Sequence, residues 1–114
     1  MPLEITPQEL AEKMRRGEDF ILLDVRELWE LDYARLADPR LLVLPMSRLA
    51  REGAAALPQT WNPAESQIIT LCHHGVRSLN AAQWLKSLGW QNVLSLAGGI
   101  DAYARQVDAS VGRY

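Results

Sequence analysis

Ile68-Ile69-Thr70-Leu71-Cys72-His73-His74-Gly75-Val76-Arg77-Ser78 is the stretch on which the fold turns. Its first four residues form a short apolar run without alternation, the pattern of a strand buried on both faces. Its last residue opens a helical pattern, Ser78 to Leu88, in which Ala81, Ala82, Leu85 and Leu88 share one face and Gly89 supplies the stop. A strand that passes through a very short loop into a helix is a connection typical of a parallel α/β sheet.

Outward from this stretch the same grammar recurs. Phe20-Ile21-Leu22-Leu23 ends at Asp24, Leu41-Leu42-Val43-Leu44 is stopped by Pro45, and Val93-Leu94-Ser95-Leu96 ends at Ala97-Gly98-Gly99. Helical patterns lie between these runs. Thr6-Pro7-Gln8-Glu9 is a capping box with Pro at the first helical position, Leu10 and Met14 share a face, and Gly17 can end that helix. Leu28 to Ala34 reads as a short helix, Ser47 to Leu57 as a helix with Ser47 as its cap and Gly53 as its weak point, and Ile100 to Val107 as the last. Strands alternating with helices predict an α/β fold of three layers, a central parallel sheet flanked by helices. The loop from Leu57 to Ser66, with Pro58 and Pro63, is not a domain boundary, because neither half is large enough alone, so residues 1–114 read as a single domain.

Composition narrows the function. Hydrophobic residues make up 48% and charged residues 23%, and 12 basic against 14 acidic side chains leave a net charge of −2. That balance speaks against nucleic acid or an anionic membrane as the main partner. One cysteine excludes an intramolecular disulfide and any zinc site with two or more cysteines, and it fits a reducing compartment. Met1-Pro2-Leu3-Glu4 carries no basic, then apolar, leader pattern, and no run approaches the roughly 18 apolar residues of a membrane span. The expectation is a soluble cytoplasmic domain with no metal and no cofactor.

The chemistry concentrates in the loop. Ligands of parallel sheets bind beyond the carboxyl ends of the strands, where Cys72 falls. A tight loop entering a helix turns several backbone N–H groups toward one point, and the helix end adds about half a positive charge there. A cysteine sulfur in such an anion cradle ionises readily. Gly75 admits a backbone conformation closed to other residues, and Arg77 brings a permanent charge with a planar donor fork. Alone, a cysteine at a strand end reads as a small buried hydrophobe, but Gly75 and Arg77 at these offsets favour a nucleophile. His73 and His74 read chiefly as donors of backbone N–H groups, with side chains toward the rim. Adjacent residues cannot easily point at one metal ion.

Cys72-His73-His74-Gly75-Val76-Arg77-Ser78 closely resembles the active-site loop of rhodanese-like sulfurtransferases, Cys-x-x-Gly-x-Arg-Ser. Leu23-Asp24-Val25-Arg26-Glu27 resembles that family's Asp-Val-Arg-Glu segment, and Leu96-Ala97-Gly98-Gly99-Ile100-Asp101-Ala102-Tyr103 its Gly-Gly motif, with Tyr103 where Trp is usual. The resemblance implies the rhodanese-like three-layer fold and a ping-pong reaction. In that reaction a thiolate takes the outer sulfur of a donor such as thiosulfate and passes it, from a persulfide, to cyanide or a protein thiol. It makes Cys72 the nucleophile and persulfide carrier, lets backbone groups of His73, His74, Gly75, Val76 and Ser78 bind the sulfur, and has Arg77 stabilise charge. Asp24 and Arg26 then read either as supports of the loop or as a structural ion pair, and Glu27 as a helix-start acid.

Four residues separate Cys72 from Arg77. The related dual-specificity phosphatases have one more, so the shorter loop favours sulfur over phosphate, leaving phosphatase or arsenate reductase chemistry the weakest alternative. Ala34-Arg35-Leu36-Ala37-Asp38-Pro39-Arg40 departs from the family's Gly-His-Ile-x-Gly-Ala segment, which motivates a second alternative, a non-catalytic binding or sulfur-relay module. Gln106 to Tyr114 resembles the tails of rhodanese domains fused to activating enzymes for ubiquitin-like proteins. That resemblance implies a protein acceptor only weakly, and the plain alternative is a polar tail with an aromatic anchor.

Overall fold

The computed structural model describes residues 3–114. Met1 and Pro2, half of the stretch read above as carrying no leader, lie outside the described residues. Five parallel strands, β1 (Glu4–Ile5), β2 (Ile21–Asp24), β3 (Leu41–Val43), β4 (Gln67–Leu71) and β5 (Asn92–Leu96), form one sheet in the order β1-β5-β4-β2-β3. Four α-helices, α1 (Pro7–Arg15), α2 (Met46–Glu52), α3 (Val76–Ser87) and α4 (Gly99–Gln106), cover it. Among the described residues no helix is long and apolar enough to cross a membrane.

Side chains alternate along the strands and divide the interior in two. Leu23, Val25, Ile68, Cys72 and Val93 pack with Leu49 of α2 and with Ala81, Ala82 and Leu85 of α3. Leu22, Ile69, Leu71 and Leu96 pack with Leu10 of α1 and with Ile100 and Tyr103 of α4. Both faces are thereby covered, which is why the strands read as continuous apolar runs.

The predicted elements are present, with instructive shifts. Thr6 and Glu9 form the expected capping box, and Gly17 takes φ +69° just past α1. The Leu28–Ala34 helix is only a 3-10 turn, Leu28–Asp32. The Ser47–Leu57 helix breaks where Gly53 adopts φ +62°, and a 3-10 turn, Gly53–Ala56, follows. Ser47 is not the cap: Pro45 holds that position, and the Ser47 hydroxyl donates to Glu27 Oε1 at 2.8 Å, tying α2 to the start of the Leu28–Asp32 turn. Strand β1 escaped the sequence reading because two residues make no pattern. They pair with Ser95 and Leu96 at the sheet edge. Helix α3 begins at Val76, two residues before Ser78, because Gly75 takes φ +101° and turns the chain straight into the helix. That early start shortens the loop after β4 to four residues, Cys72–Gly75.

Candidate active site

Cys72 follows β4 directly and its side chain is almost wholly buried, 1% exposed. Two backbone amides converge on its sulfur: Gly75 N–H at 3.1 Å and Ser78 N–H at 3.3 Å. The first helical hydrogen bond of α3 runs from Leu79 N–H to Gly75 O, so Ser78 N–H is one of the donors a helix start leaves without a carbonyl partner. The thiol in turn donates to Ser78 Oγ at 3.3 Å. Ser78 Oγ also receives the Ser95 hydroxyl at 2.8 Å and lies 3.3 Å from Gly75 O. Thr70 Oγ1 donates to Ser78 O at 2.8 Å. Thr70, Ser78 and Ser95 are all fully buried, so a small polar network lies beneath the loop.

The back of the loop rests on α4. Ile100 N–H donates to Cys72 O at 2.9 Å, and Asp101 N–H to His73 O at 3.1 Å. In a trans peptide the N–H points opposite to the preceding carbonyl, so pinning these two oxygens outward turns the amides of His73 and His74 the other way. The approach requires glycine. A Cβ on Gly99 would stand 2.3 Å from His73 O, and one on Gly75 3.1 Å from Gly98 N. The Gly-Gly motif is the contact that lets helix and loop backbones touch.

Arg77 stands at the half-exposed side of the loop. Its guanidinium makes a two-pronged ion pair with Glu30, Nη1 to Oε2 at 2.7 Å and Nη2 to Oε1 at 2.8 Å. The Glu30 side chain is only 4% exposed and also accepts the Glu27 N–H at 2.9 Å and the Tyr114 hydroxyl at 2.8 Å. The Arg77 hydrogen bonds draw the Glu30 carboxyl from its ordinary 4.5 down to about 2, against the opposing effect of burial. A carboxylate held below its unfolded value stabilises the fold above the unfolded value, and that contribution disappears as pH falls through the folded one. The melting temperature should therefore drop between about pH 4.5 and pH 2. The Glu30→Gln variant, less stable at neutral pH, should converge with the wild type at the acid end of that window. A gap between the two that does not change with pH would refute this account.

Asp24 and Arg26 form a second, fully buried pair, Arg26 Nη2 to Asp24 Oδ2 at 2.7 Å, with both side chains 0% exposed. Arg26 Nη1 also reaches Ala34 O at 2.8 Å and Tyr114 Oη at 3.2 Å. The geometry is that of the structural ion pair, joined to the loop only indirectly, through Tyr114 and Glu30. The departing segment is anchored as well: Ala34 and Leu36 are buried, Arg35 N–H bonds Val111 O at 2.9 Å, and Asp38 pairs with Arg40 at 2.9 Å.

Neither histidine ring is hydrogen-bonded to the Cys72 sulfur, whose partners are Gly75 and Ser78. His73 lies parallel to His74, ring centroids 3.8 Å apart, and to Tyr114 at 3.7 Å. His73 Nε2 lies 2.7 Å from the main-chain oxygen of Tyr114, and burial pushes its imidazole below the ordinary value. His74 and Val76 are exposed at the rim. His73, His74 and Asp101 offer ligand atoms within 4.8 Å of one another. The Asp101 carboxylate, however, is already bonded through Oδ2 to Arg105 and through Oδ1 to Arg113. Sequence reading therefore placed Cys72, Gly75, Arg77 and Ser78 together. It missed Glu30, Ser95 and Tyr114, whose contacts with the site span 47, 17 and 84 residues of chain.

The family model described as "Rhodanese-like domain" matches residues 6–106. The chain is similar to a tRNA uridine(34) hydroxylase of Xanthomonas euvesicatoria, 32% identical over 90% of this chain and 43% of that protein. It is similar also to the probable adenylyltransferase/sulfurtransferase MoeZ of Mycobacterium tuberculosis, 33% identical over 96% of this chain and 26% of that one. It thus spans less than half the length of these relatives. Among solved structures it resembles a rhodanese-related protein from Thermoplasma volcanium, with TM-score 0.72, 29% identity, and coverage of 91% of this chain and 92% of the other. With the three motifs, the parallel sheet and a family match over nearly its whole length, the chain belongs to the rhodanese-like domain family.

Proposed function

We propose that residues 1–114 act as one sulfurtransferase unit that carries sulfane sulfur as a persulfide on Cys72, with thiosulfate as a competent donor. The observation that carries this reading is the pair of amides, Gly75 N–H and Ser78 N–H, converging on the Cys72 sulfur. The thiolate attacks the outer sulfur of thiosulfate, the sulfur–sulfur bond of the donor breaks, and sulfite leaves with its electron pair. The new persulfide anion meets N–H donors instead of water. An acceptor, cyanide or a protein thiolate, then attacks the outer sulfur, and the electron pair of the broken bond returns to Cys72.

Each polar group has a part in this scheme. A hydroxyl hydrogen rotates to suit its neighbours, so Ser78 Oγ, an acceptor from the thiol, becomes a donor once the thiol ionises. Arg77 spends two of its five N–H groups on Glu30 and keeps the remainder for the anionic donor. His73, His74 and Val76 serve through backbone. The near-complete burial of Cys72 demands a slim reactant, and a single terminal sulfur meets that demand better than a phosphate ester. Because the nucleophile must remain a free thiol, a reducing compartment such as the cytoplasm suits the reaction.

Mass spectrometry of the folded protein after thiosulfate treatment should show one added sulfur, located on Cys72. No adduct with any of several sulfane donors would sink the proposal. The length of the relatives supports a second reading, a relay module inside a larger protein that hands sulfur to a protein acceptor. In that case Cys72 loads, but isolated turnover with cyanide is slow.

A further inference from the structure

Beyond α4 the tail is fixed at successive residues. Val111 O accepts the Arg35 N–H at 2.9 Å. Gly112, at φ +95°, passes so close to the chain at Tyr33 that a Cβ there would lie 2.4 Å from Tyr33 O. Arg113 Nε donates to Asp101 Oδ1 at 3.2 Å. These ties deliver Tyr114 to the charged side of the site, with its ring 3.7 Å from His73 at an interplanar angle of 8° and 5.7 Å from Tyr33.

The Tyr114 hydroxyl completes the coordination of Glu30. Oε2 receives Arg77 Nη1 and the Glu27 N–H, while Oε1 receives Arg77 Nη2 and Tyr114 Oη. Each carboxylate oxygen thus has two donors, and rotation of the carboxylate breaks several bonds at once. Without the hydroxyl, Oε1 keeps only Arg77, and the Arg26 guanidinium loses one of its acceptors. Charge-assisted bonds of this kind hold geometry more firmly than neutral ones.

We propose that Tyr114 is a positioning residue of the sulfur-transfer site: by fixing Glu30 it holds the Arg77 guanidinium beside the Cys72 loop and thereby sets the affinity for an anionic sulfur donor. This rests on the sulfurtransferase reading above. Tyr114 touches no reacting atom. Its effect passes through one carboxylate, and it falls on donor binding rather than on the transfer step.

Tyr114→Phe keeps the ring and its stacking and removes only the hydroxyl. With thiosulfate as donor and cyanide as acceptor, KM for thiosulfate should rise about five- to tenfold while kcat stays within about twofold, the partial transmission of one lost charge-assisted bond. In nitrogen–proton NMR spectra of the unliganded protein, the Arg77 Nε–H signal should shift or broaden. A purely structural tail contact would lower the melting temperature and leave both KM and that signal in place, which overturns the proposal. If wild-type Cys72 accepts no sulfur from any donor, the sulfurtransferase reading fails on its own. The Arg77 signal then decides the positioning claim: displaced in Tyr114→Phe it stands, unmoved it falls.

Discussion

On the proposed mechanism, Cys72→Ser should abolish sulfur transfer while leaving the protein folded. The serine oxygen is nearly isosteric, and the amides of Gly75 and Ser78 that meet the sulfur still find an acceptor. A buried hydroxyl that keeps its partners costs about 1 kcal/mol at most, so the thermal midpoint should barely move. An alcohol, unlike a thiol, does not ionise appreciably near neutrality and does not carry sulfane sulfur. Turnover with thiosulfate should therefore fall by about 10³-fold or more, the scale seen when a covalent nucleophile is removed. The mass adduct should vanish with it. Retained turnover in the serine variant would move the reaction centre away from this loop and end the persulfide mechanism.

Asp24→Ala gives the largest expected loss of stability. Arg26 is fully buried and Asp24 is its only carboxylate partner among the described residues; the others are Ala34 O, the more distant Glu30 O, and Tyr114 Oη. Burial works against the Arg26 charge, and Asp24 outweighs it, leaving the guanidinium pKa raised. Removing one half of a buried pair strands the other half, at a cost of about 3–5 kcal/mol. At roughly 4 °C per kcal/mol for a domain of this size, the midpoint should drop by at least about 12 °C. The double variant Asp24→Ala/Arg26→Met, which removes the stranded charge, should recover part of that loss. A single variant that melts within about 3 °C of the wild type would show that the pair carries little of the fold's stability.

The legible and illegible parts of this protein differ by the range of chain they involve. The strands were readable because both sheet faces are buried, which erases alternation and leaves runs such as Ile68-Ile69-Thr70-Leu71. The cradle was readable because Cys72, Gly75 and Ser78 lie within seven consecutive residues, where spacing restricts geometry. Glu30 was not, because an acid in a short helical pattern reads as solvent-facing, and only tertiary packing brings it to Arg77. Ser95 has no signal of its own within the run Val93-Leu94-Ser95-Leu96, and its meaning comes from its bond to Ser78. Tyr114 carried no local signal beyond being aromatic. The early start of α3 and the failure of Ser47 as a cap have one lesson: a glycine with positive φ, or a partner from another element, overrides the residue that local preference would choose.

The grip of α4 on the loop fixes the bore of the cradle. Its backbone is held from behind at Cys72 O and His73 O, its far end is committed to α3, and Gly98 and Gly99 leave no clearance between them. A residue inserted at Cys72 or His73 has no room to bulge toward α4, because the glycine backbones already touch there. It must either unseat the carbonyls from α4 or push toward the sulfur. Only the exposed rim at His74 and Val76 leaves space for added chain. The width of this ring is therefore set by the wall behind it as much as by the number of residues in the loop.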